Sequence, residues 1–270
     1  MLLYNYCGEA VNAESERSRS FQENIAVDYC FDETAHTNYQ VFRVNKARTD
    51  GVKQYAFGRC IPGSASDASL MKTPYELAVR EGWPFVVNGG IGTGLMIENS
   101  IVIDDTTLPV ETGCIPLSIN RDGDLGYLDV DFIGKGQSYV NSGIVSAMCG
   151  FFPLIVDYEN FNYPTDIPGT DTDAWQHAQR QVIGQFGNGD YFFLVSEGRN
   201  FDNSTGFTMA DVQRVCKALG VKFAYNLDGG GSTQTVIGKR IVNTVYEGTT
   251  GRRRGTFIVF NGTTQFGIPE

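Results

Sequence analysis

The chain has 270 residues, of which 41% are hydrophobic, 12% aromatic and 19% charged, and it contains 32 glycines. This composition is typical of a strand-rich globular protein with many tight turns, and the length allows one large domain or two small ones. The net charge of −10 argues against a nucleic-acid or anionic-membrane surface, because phosphate backbones select basic patches. We therefore expect neither a nucleic-acid partner nor membrane insertion.

Targeting signals and cysteine motifs are both missing from the sequence. The first ten residues lack a basic start and a long apolar stretch, and the longest apolar run, Phe151 to Val156, is too short to span a bilayer. We expect no signal peptide and a cytoplasmic or virion-associated protein. The six cysteines form no Cys-x-x-Cys pair, so neither a zinc site nor a redox motif is indicated and buried free thiols are predicted.

Residues 1–70 are interpreted as an N-terminal arm with a strand-rich extension of the domain that occupies residues 71–270. The polar stretch from Gly8 to Asn24 predicts the arm. A helix is predicted from Pro74, because Thr73 and Glu76 form a capping box and Gly82 provides a stop. Short apolar runs predict strands at Ile25 to Phe31, Tyr39 to Val44, Phe85 to Val87, Leu95 to Ile97 and Ile101 to Ile103.

The middle of the chain is less regular. The pairs Asp122-Gly123 and Gly126-Tyr127 fit hairpin turns between short strands. Residues 157–173 predict a loop that is long enough to cover a site, with simple flexibility as the alternative.

The C-terminal third predicts alternating strands and one helix. The helix opens with a second capping box, Thr208 with Asp211, and ends at Gly220, which places Cys216 in the core. Strands are predicted at Tyr191 to Val195, Lys222 to Leu227, Thr235 to Ile237, Ile241 to Val245 and Thr256 to Phe260, with a turn at Gly238-Lys239. Together these elements predict an α+β fold with a mixed, largely antiparallel sheet core and a few packed helices.

The most informative segment begins at Asn226 and reads Asn-Leu-Asp-Gly-Gly-Gly-Ser-Thr. It places the carboxylate of Asp228 at the end of an apolar strand and directly before three glycines. Such a run is entropically costly, which indicates that side chains are excluded there by positive φ angles or by close approach of a ligand. The segment predicts a backbone-lined recess beside Asp228, with a glycine-rich turn between two strands as the alternative.

Several familiar chemistries lack their required residues. Gly231 is followed by Ser232 without the lysine of a P-loop. A serine-hydrolase elbow needs a glycine where Gln234 stands, and His36 and His177 form no zinc-binding cluster in the sequence. The remaining chemistry relies on carboxylates, arginines and backbone amides.

An ordered set of motifs gives a family resemblance. The motifs are Val87-Asn88-Gly89-Gly90, Arg180-Gln181-Val182-Ile183-Gly184, Glu197-Gly198-Arg199, Ala224 to Ser232, Val242-Asn243 and an arginine before the last strand. In this order they resemble the phosphodiester glycosidase domain family over roughly residues 80–260. Glu197 stands where the family more often has aspartate, and spacing back from the last strand favours Arg252 among three consecutive arginines.

The resemblance implies a phosphodiester glycosidase-like fold and a hydrolase that cleaves the bond between a sugar anomeric carbon and a phosphodiester. The substrate would be a sugar-1-phosphodiester or a nucleotide sugar, with Asp228 and Glu197 as the catalytic carboxylates. The implied substrate-binding residues are Asn88, Gly89, Gly90, Arg180, Arg199, Asn226, Gly229, Gly230, Gly231, Ser232, Asn243 and Arg252. The glycine amides are expected to form an anion-binding nest, and the arginines to hold phosphate oxygens.

Two alternatives to hydrolysis stay open at this point. One is a non-catalytic module of a virion or tail that binds glycans or sugar phosphates, and the other is a sugar transferase. The acidic charge and the unmatched N-terminal region are compatible with a phage-borne protein that acts on surface phosphoglycans. No cofactor is predicted, although a divalent cation such as Ca²⁺ or Mg²⁺ shared by Asp228 and a phosphate is compatible with the sequence, as is a homo-oligomer.

Overall fold

A computed structural model describes residues 25–45, 56–61, 63–64, 66–90, 92–109, 114–163, 176–246 and 250–260 of the chain. Its strands are β1 (Ile25–Asp32), β2 (Thr37–Val44), β3 (Ala56–Cys60), β4 (Phe85–Asn88), β5 (Met96–Glu98), β6 (Ile101–Asp104), β7 (Leu117–Asn120), β8 (Leu125–Tyr127), β9 (Ile144–Met148), β10 (Phe152–Val156), β11 (Glu159–Asn160), β12 (Gln181–Gln185), β13 (Tyr191–Ser196), β14 (Phe223–Asn226), β15 (Thr235–Ile237), β16 (Arg240–Ile241) and β17 (Thr256–Phe260). Its helices are α1 (Pro74–Glu81), α2 (Gly136–Asn141) and α3 (Met209–Ala218), and short 3-10 turns cover Ala68–Leu70 and Gly230–Ser232. The predicted arm from Gly8 to Asn24 lies outside the described residues.

The strands form three sheets. The first has the order β1-β2-β13-β12-β14-β10-β11, the second β16-β15-β4-β17-β3, and the third β6-β5-β9-β7-β8. All pairings between the strands of the described part are antiparallel. This architecture confirms the predicted α+β fold with a largely antiparallel sheet core.

The first and second sheets pack face to face and enclose the main core. Phe85 of the second sheet contacts two rings of the first, Phe42 at 6.0 Å and Phe193 at 4.6 Å between ring centroids. Helix α3 covers the other face of the first sheet through Met209, Val212, Val215 and Cys216, while α1 covers the other face of the second. The result is four layers, helix on sheet on sheet on helix, and β12, β13 and β14 are buried on both faces.

Both predicted helices are confirmed with their capping boxes. The Thr73 hydroxyl accepts the Glu76 amide, the Glu76 carboxylate accepts the Thr73 amide, and Gly82 ends α1 in the left-handed region with φ 68°. Thr208 and Asp211 make the same reciprocal bonds at the start of α3. Cys216 is fully buried on this helix, and burial raises the pKa of its thiol to about 12, as expected of a core residue.

The other described cysteines, Cys30, Cys60, Cys114 and Cys149, are also free thiols, and all but half-buried Cys30 are buried. The prediction of buried free thiols is therefore confirmed for four of the cysteines that the structure describes, whereas Cys7 lies outside them.

Some local predictions were wrong. Gly126-Tyr127 lies within β8 rather than in a turn, whereas Asp122-Gly123 does join β7 to β8. The predicted strand at Ile241 to Val245 is reduced to Arg240–Ile241. The side chain of Asn243 accepts the Thr235 amide and donates to Thr233 O, so it replaces the backbone hydrogen bonds that a longer strand would make there. Helix α2 was not predicted. Residues 164–173 of the predicted loop lie outside the described residues.

Candidate active site

The Asn226 to Thr233 segment is the connection between the two packed sheets. Asn226 ends β14 in the first sheet, and β15 in the second sheet begins at Thr235. The Leu227 amide donates to Gln181 O of the first sheet, and the next amide, that of Asp228, donates to Gly89 O beside the second, each at 2.9 Å. Asp228 therefore lies at the junction of the sheets, where its backbone is fixed from both sides.

Asn88 supports the backbone of Asp228. Its Nδ2 donates to Asp228 O at 2.5 Å, its Oδ1 accepts the Gln234 amide at 2.9 Å, and the residue is fully buried. Gly90 packs so closely that a Cβ there would lie 2.0 Å from Cys149 O. The structure thus places Asn88, Gly89 and Gly90 behind the site, as its support, and they are not among the residues that line the cavity beside Asp228.

The carboxylate of Asp228 forms a buried ion pair with Arg254. The distance from Oδ2 to Nε is 2.5 Å, and each residue is only 8% exposed. The Arg254 guanidinium also donates to Ser232 Oγ and, through Nη1, to Arg253 O at 3.0 Å. Its backbone is held by two hydrogen bonds with Lys72, at 2.7 and 3.1 Å.

Arg254 is the functional candidate that the sequence interpretation missed. The spacing argument favoured Arg252, yet in the structure Arg254 reaches Asp228, while half-buried Arg252 lines the cavity and approaches Ser232 Oγ at 3.5 Å. The hydroxyl of Ser232 is used by these arginines and does not line the cavity. In the structure Ser232 orients Arg254, and its predicted contact with substrate stays a prediction.

A cavity of about 130 Å³ opens beside Asp228. Many of the residues predicted from the sequence line it together: Asp228, Asn226, Gly229, Gly230, Gly231, Arg180, Arg199 and Arg252. These predicted residues bring one carboxylate, one amide and three guanidinium groups from four separate parts of the chain to one recess.

Arg180 and Arg199 are held in different ways. Arg180 is buried, with Nε donating to Phe207 O at 2.9 Å and Nη2 donating to Gln176 O at 2.7 Å, so backbone carbonyls fix its guanidinium. Arg199 is exposed, has a left-handed φ of 55°, and places its guanidinium carbon 4.5 Å from the ring centroid of Tyr246. This cation–π contact orients Arg199, and Tyr246 carried no signal in the sequence.

Two of the three glycines lie close to neighbouring atoms. A Cβ at Gly229 would lie 2.9 Å from Gln179 O, and one at Gly230 would lie 2.9 Å from Nη2 of Arg199. Gly230 also has a φ of 54°, which favours glycine. Its amide, however, donates inward to Gln179 O at 2.8 Å. The predicted nest of three outward-facing glycine amides is therefore wrong at Gly230, and the run instead makes room for the guanidinium of Arg199.

Asn226 presents an unsatisfied acceptor. The residue is 1% exposed and lines the cavity, and its Oδ1 has no hydrogen-bond partner in the described part of the protein. An unsatisfied buried acceptor costs about 1–3 kcal/mol. A hydroxyl-bearing ligand would remove that cost, so the atom is a candidate ligand contact. Behind it, the Tyr225 phenol donates to Ile115 O at 2.7 Å, and burial raises its pKa well above the usual value.

Glu197 and Asn243 do not reach the cavity lining. Glu197 is buried, and its carboxylate accepts the Thr244 amide at 2.9 Å and Nε2 of Gln179 at 3.4 Å. Within the described part of the chain, the side chain of Asn243 hydrogen-bonds to backbone atoms of Thr233, Thr235 and Thr244. The predicted substrate contact of Asn243 stays a prediction, and Glu197 holds the segment that carries Tyr246 through the Thr244 amide.

The described residues contain no group of three or more His, Cys, Asp or Glu side chains that could hold a metal ion. None of the helices described above has the length and apolar character needed to cross a membrane.

A family profile described as Phosphodiester glycosidase matches residues 74–261. The chain belongs to the phosphodiester glycosidase family. The matched range contains every predicted site residue, and the resemblance read from the ordered motifs is thereby confirmed.

Solved structures share the fold of this phosphodiester glycosidase family member. The zebrafish N-acetylglucosamine-1-phosphodiester alpha-N-acetylglucosaminidase catalytic domain, auto-inhibited by its pro-peptide, aligns with a TM-score of 0.63 at 17% identity, over 88% of this chain and 82% of that one. A hypothetical protein from Synechocystis aligns with a TM-score of 0.60 at 11% identity, over 88% of this chain and 62% of that one. At these identities the likeness shows the fold alone.

A curated relative is the SPbeta prophage-derived uncharacterized protein YomE of Bacillus subtilis (strain 168). It is 35% identical over 69 residues, which are 26% of this chain. The match spans only 11% of the length of that protein.

Proposed function

We propose that this phosphodiester glycosidase family member hydrolyses the bond between a sugar anomeric carbon and a phosphodiester and releases the free sugar. The observation that carries the proposal is the shared cavity of Asp228 with Arg180, Arg199 and Arg252. Guanidinium groups bind phosphate oxygens with high specificity, because their donors match the geometry of the anion. A carboxylate beside an anion site suits a reaction in which positive charge develops on the sugar as a phosphate departs.

The leaving group determines what the site has to supply. A phosphate is a weak base, so its departure needs little protonation and more stabilisation of the anion. Among the described lining residues Asp228 is the only carboxylate. This arrangement suits a reaction in which no second carboxylate protonates the leaving oxygen. We therefore propose that Glu197 positions the segment around Thr244 and the side chain of Gln179.

Arg254 orients the reactive carboxylate. It contacts Oδ2 of Asp228, and no described residue donates to Oδ1. Oδ1 is therefore the atom that we assign to the anomeric centre, either to stabilise the oxocarbenium-like transition state or to activate a water molecule. The unsatisfied Oδ1 of Asn226 would accept a sugar hydroxyl in the same cavity.

The test uses two substrates that differ in the aglycone: UDP-N-acetylglucosamine and the methyl phosphodiester of N-acetylglucosamine-1-phosphate. The name of the zebrafish enzyme makes this sugar the first to try. Wild-type protein should release reducing sugar from at least one of them, and Asp228→Asn should lower turnover at least a hundredfold. Asp129→Asn, an exposed carboxylate outside the cavity, is the matched control. Near wild-type turnover by Asp228→Asn would remove Asp228 from the mechanism.

The same assay addresses cations and acceptors. A parallel series with a chelator tests whether a divalent cation assists. Added methanol would be converted to a methyl glycoside by a transferase, whereas a strict hydrolase yields only free sugar.

A second candidate function is binding of a sugar phosphate without turnover, in a phage-borne protein. It is favoured by the ion pair, because the positive charge of Arg254 offsets the negative charge of the Asp228 carboxylate. The prophage-derived relative also favours it. Calorimetry with N-acetylglucosamine-1-phosphate distinguishes the two. Saturable binding without any sugar release over a long incubation would favour this candidate.

A further inference from the structure

A second, larger cavity of about 610 Å³ lies at the other end of the first sheet. In β12 and β14 the residues nearest Asp228 are Gln181 and Asn226, whereas Gln185 and Phe223 at the opposite ends line this second cavity. Four residues of extended strand separate the two ends by about 13 Å. The cavity is therefore separate from the candidate active site.

Three hairpin turns and one exposed strand end form its walls. They are the β7–β8 turn at Asp124, the β10–β11 turn at Asp157, the β12–β13 turn at 187–189 and the start of β14 at Lys222. We call this space the hairpin-turn cavity.

The side chain of Gln185 fixes the walls relative to each other. Its Oε1 accepts the Leu125 amide at 3.0 Å, and its Nε2 donates to Gly189 O at 2.8 Å. On the other side, the Tyr158 amide donates to Lys222 O at 3.1 Å. All three turns are thus tied to the sheet, which indicates a preformed cavity.

The chemistry of the lining is mixed. Phe223 is buried and lines the cavity, and Tyr127, 42% exposed, also lines it while its ring contacts Phe161 at 5.6 Å between centroids. Asp157 and Lys222 are both exposed and line the same space, yet neither makes an ion pair with any described residue. An acceptor and a donor of hydrogen bonds therefore face one cavity without satisfying each other.

We propose that the hairpin-turn cavity is a second binding site, and that its ligand is a neutral saccharide. A sugar combines an apolar ring face, which can lie on an aromatic ring, with hydroxyl groups that both donate and accept hydrogen bonds. Asp157 would accept from hydroxyls and Lys222 would donate to them. The volume lies within the range of about 300–1,000 Å³ that is usual for small-molecule sites.

Other ligand classes fit the lining less well. A phosphate would meet Asp124 and Asp157 against the single cation Lys222 among the lining residues. A metal ion is disfavoured because the described residues around the cavity do not form a group of three acidic or histidine ligands. A lipid tail would have to desolvate the charged rim.

The experiment titrates the protein with two uncharged probes, N-acetylglucosamine trisaccharide and maltotriose, followed by calorimetry and saturation-transfer NMR. The test variant combines Asp157→Asn with Lys222→Met. Asparagine tolerates the left-handed φ of 49° at position 157, and Lys222 is exposed, so the fold should be kept, which circular dichroism checks. Lys135→Met, at a half-buried lysine that does not line the cavity, is the control.

We expect the wild type to bind at least one trisaccharide saturably. The double variant should lose at least tenfold in affinity, whereas Lys135→Met and Asp228→Asn should bind with the wild-type affinity. Hydrolysis of sugar phosphodiesters should be unchanged in the double variant. The proposal is overturned if neither probe binds, if the double variant binds as tightly as the wild type, or if only Asp228→Asn loses binding. Because the probes carry no phosphate, these results are independent of whether the protein is a hydrolase.

Discussion

The carboxylate of Asp228 and the guanidinium of Arg254 meet at 2.5 Å, with each residue only 8% exposed. A buried pair of this kind costs more when one partner is removed than when both are, because a single removal leaves an uncompensated charge. We expect Arg254→Met to lower the free energy of unfolding by about 3–5 kcal/mol. The double variant with Asp228→Asn should lose less than the sum of the two single variants. Urea unfolding of all four proteins measures this coupling, and additivity within about 0.5 kcal/mol would contradict it.

Substitution of Asn88 should reduce turnover even though Asn88 does not line the cavity. Asn88→Ala removes the bonds to Asp228 O and to the Gln234 amide and leaves buried groups unpaired, at a cost of about 1–3 kcal/mol for each. Because the segment that carries Asp228 loses its support, we expect kcat to fall more than KM rises. Asn141→Ala on the surface of α2 is the control. A fall in activity that only tracks the fraction of unfolded protein would show that Asn88 supports stability alone.

Substitution of Gly230 by alanine should affect substrate binding, whereas the same substitution at Gly134, another left-handed glycine, should affect stability alone. Gly230→Ala places a methyl group 2.9 Å from Nη2 of Arg199, whereas at Gly134, with φ 70°, nothing lies within 4 Å of the added Cβ. Both variants should lose about 1–2 kcal/mol of stability from backbone strain. Only Gly230→Ala should also raise KM for a sugar phosphodiester, by displacing the arginine. Equal KM values in the two variants would contradict the proposed phosphate contact of Arg199.

Acid should weaken the attachment of α3 to the first sheet. Arg214 binds both oxygens of Asp32, at 2.8 and 2.9 Å, and this hydrogen bonding holds the pKa of Asp32 below its usual value. The stabilisation is therefore complete above the unfolded pKa of about 3.9 and is lost as the pH falls through the lower folded pKa. We expect stability to fall more steeply below pH 4 in the wild type than in Arg214→Met. Arg80→Met, which removes an exposed ion pair with Glu81, should retain the wild-type slope.

Local signals in the sequence predicted most of the elements. The capping boxes at Thr73 and Thr208 satisfy helix amides through neighbouring residues, so no distant contact is needed to recognise them. The strand from Thr256 to Phe260 was likewise predicted with its observed bounds. The strand predicted after Ile241 failed because the Asn243 side chain competes for the backbone bonds, and apolar patterning does not report that competition.

The sequence predicted many of the residues that line the cavity, but it did not predict how they are arranged. Asp228, Asn226 and the glycine run were recognised because an unusual local sequence carries them. The choice of Arg254 over Arg252 depends on pairing with Lys72, which is 182 residues away along the chain. The inward direction of the Gly230 amide likewise depends on Gln179. Neither contact can be predicted from the spacing of nearby residues in the sequence.

The position of β1 and β2 has a practical consequence for shortening the protein. The family match begins at residue 74, yet β2 pairs with β13, whose six residues are all buried. A fragment cut at the family boundary would leave β13 as an unprotected apolar sheet edge, which is prone to pair with other copies. Fragments that keep residues 25–44 should therefore stay monodisperse in size-exclusion chromatography, whereas those that start at residue 74 should precipitate or associate.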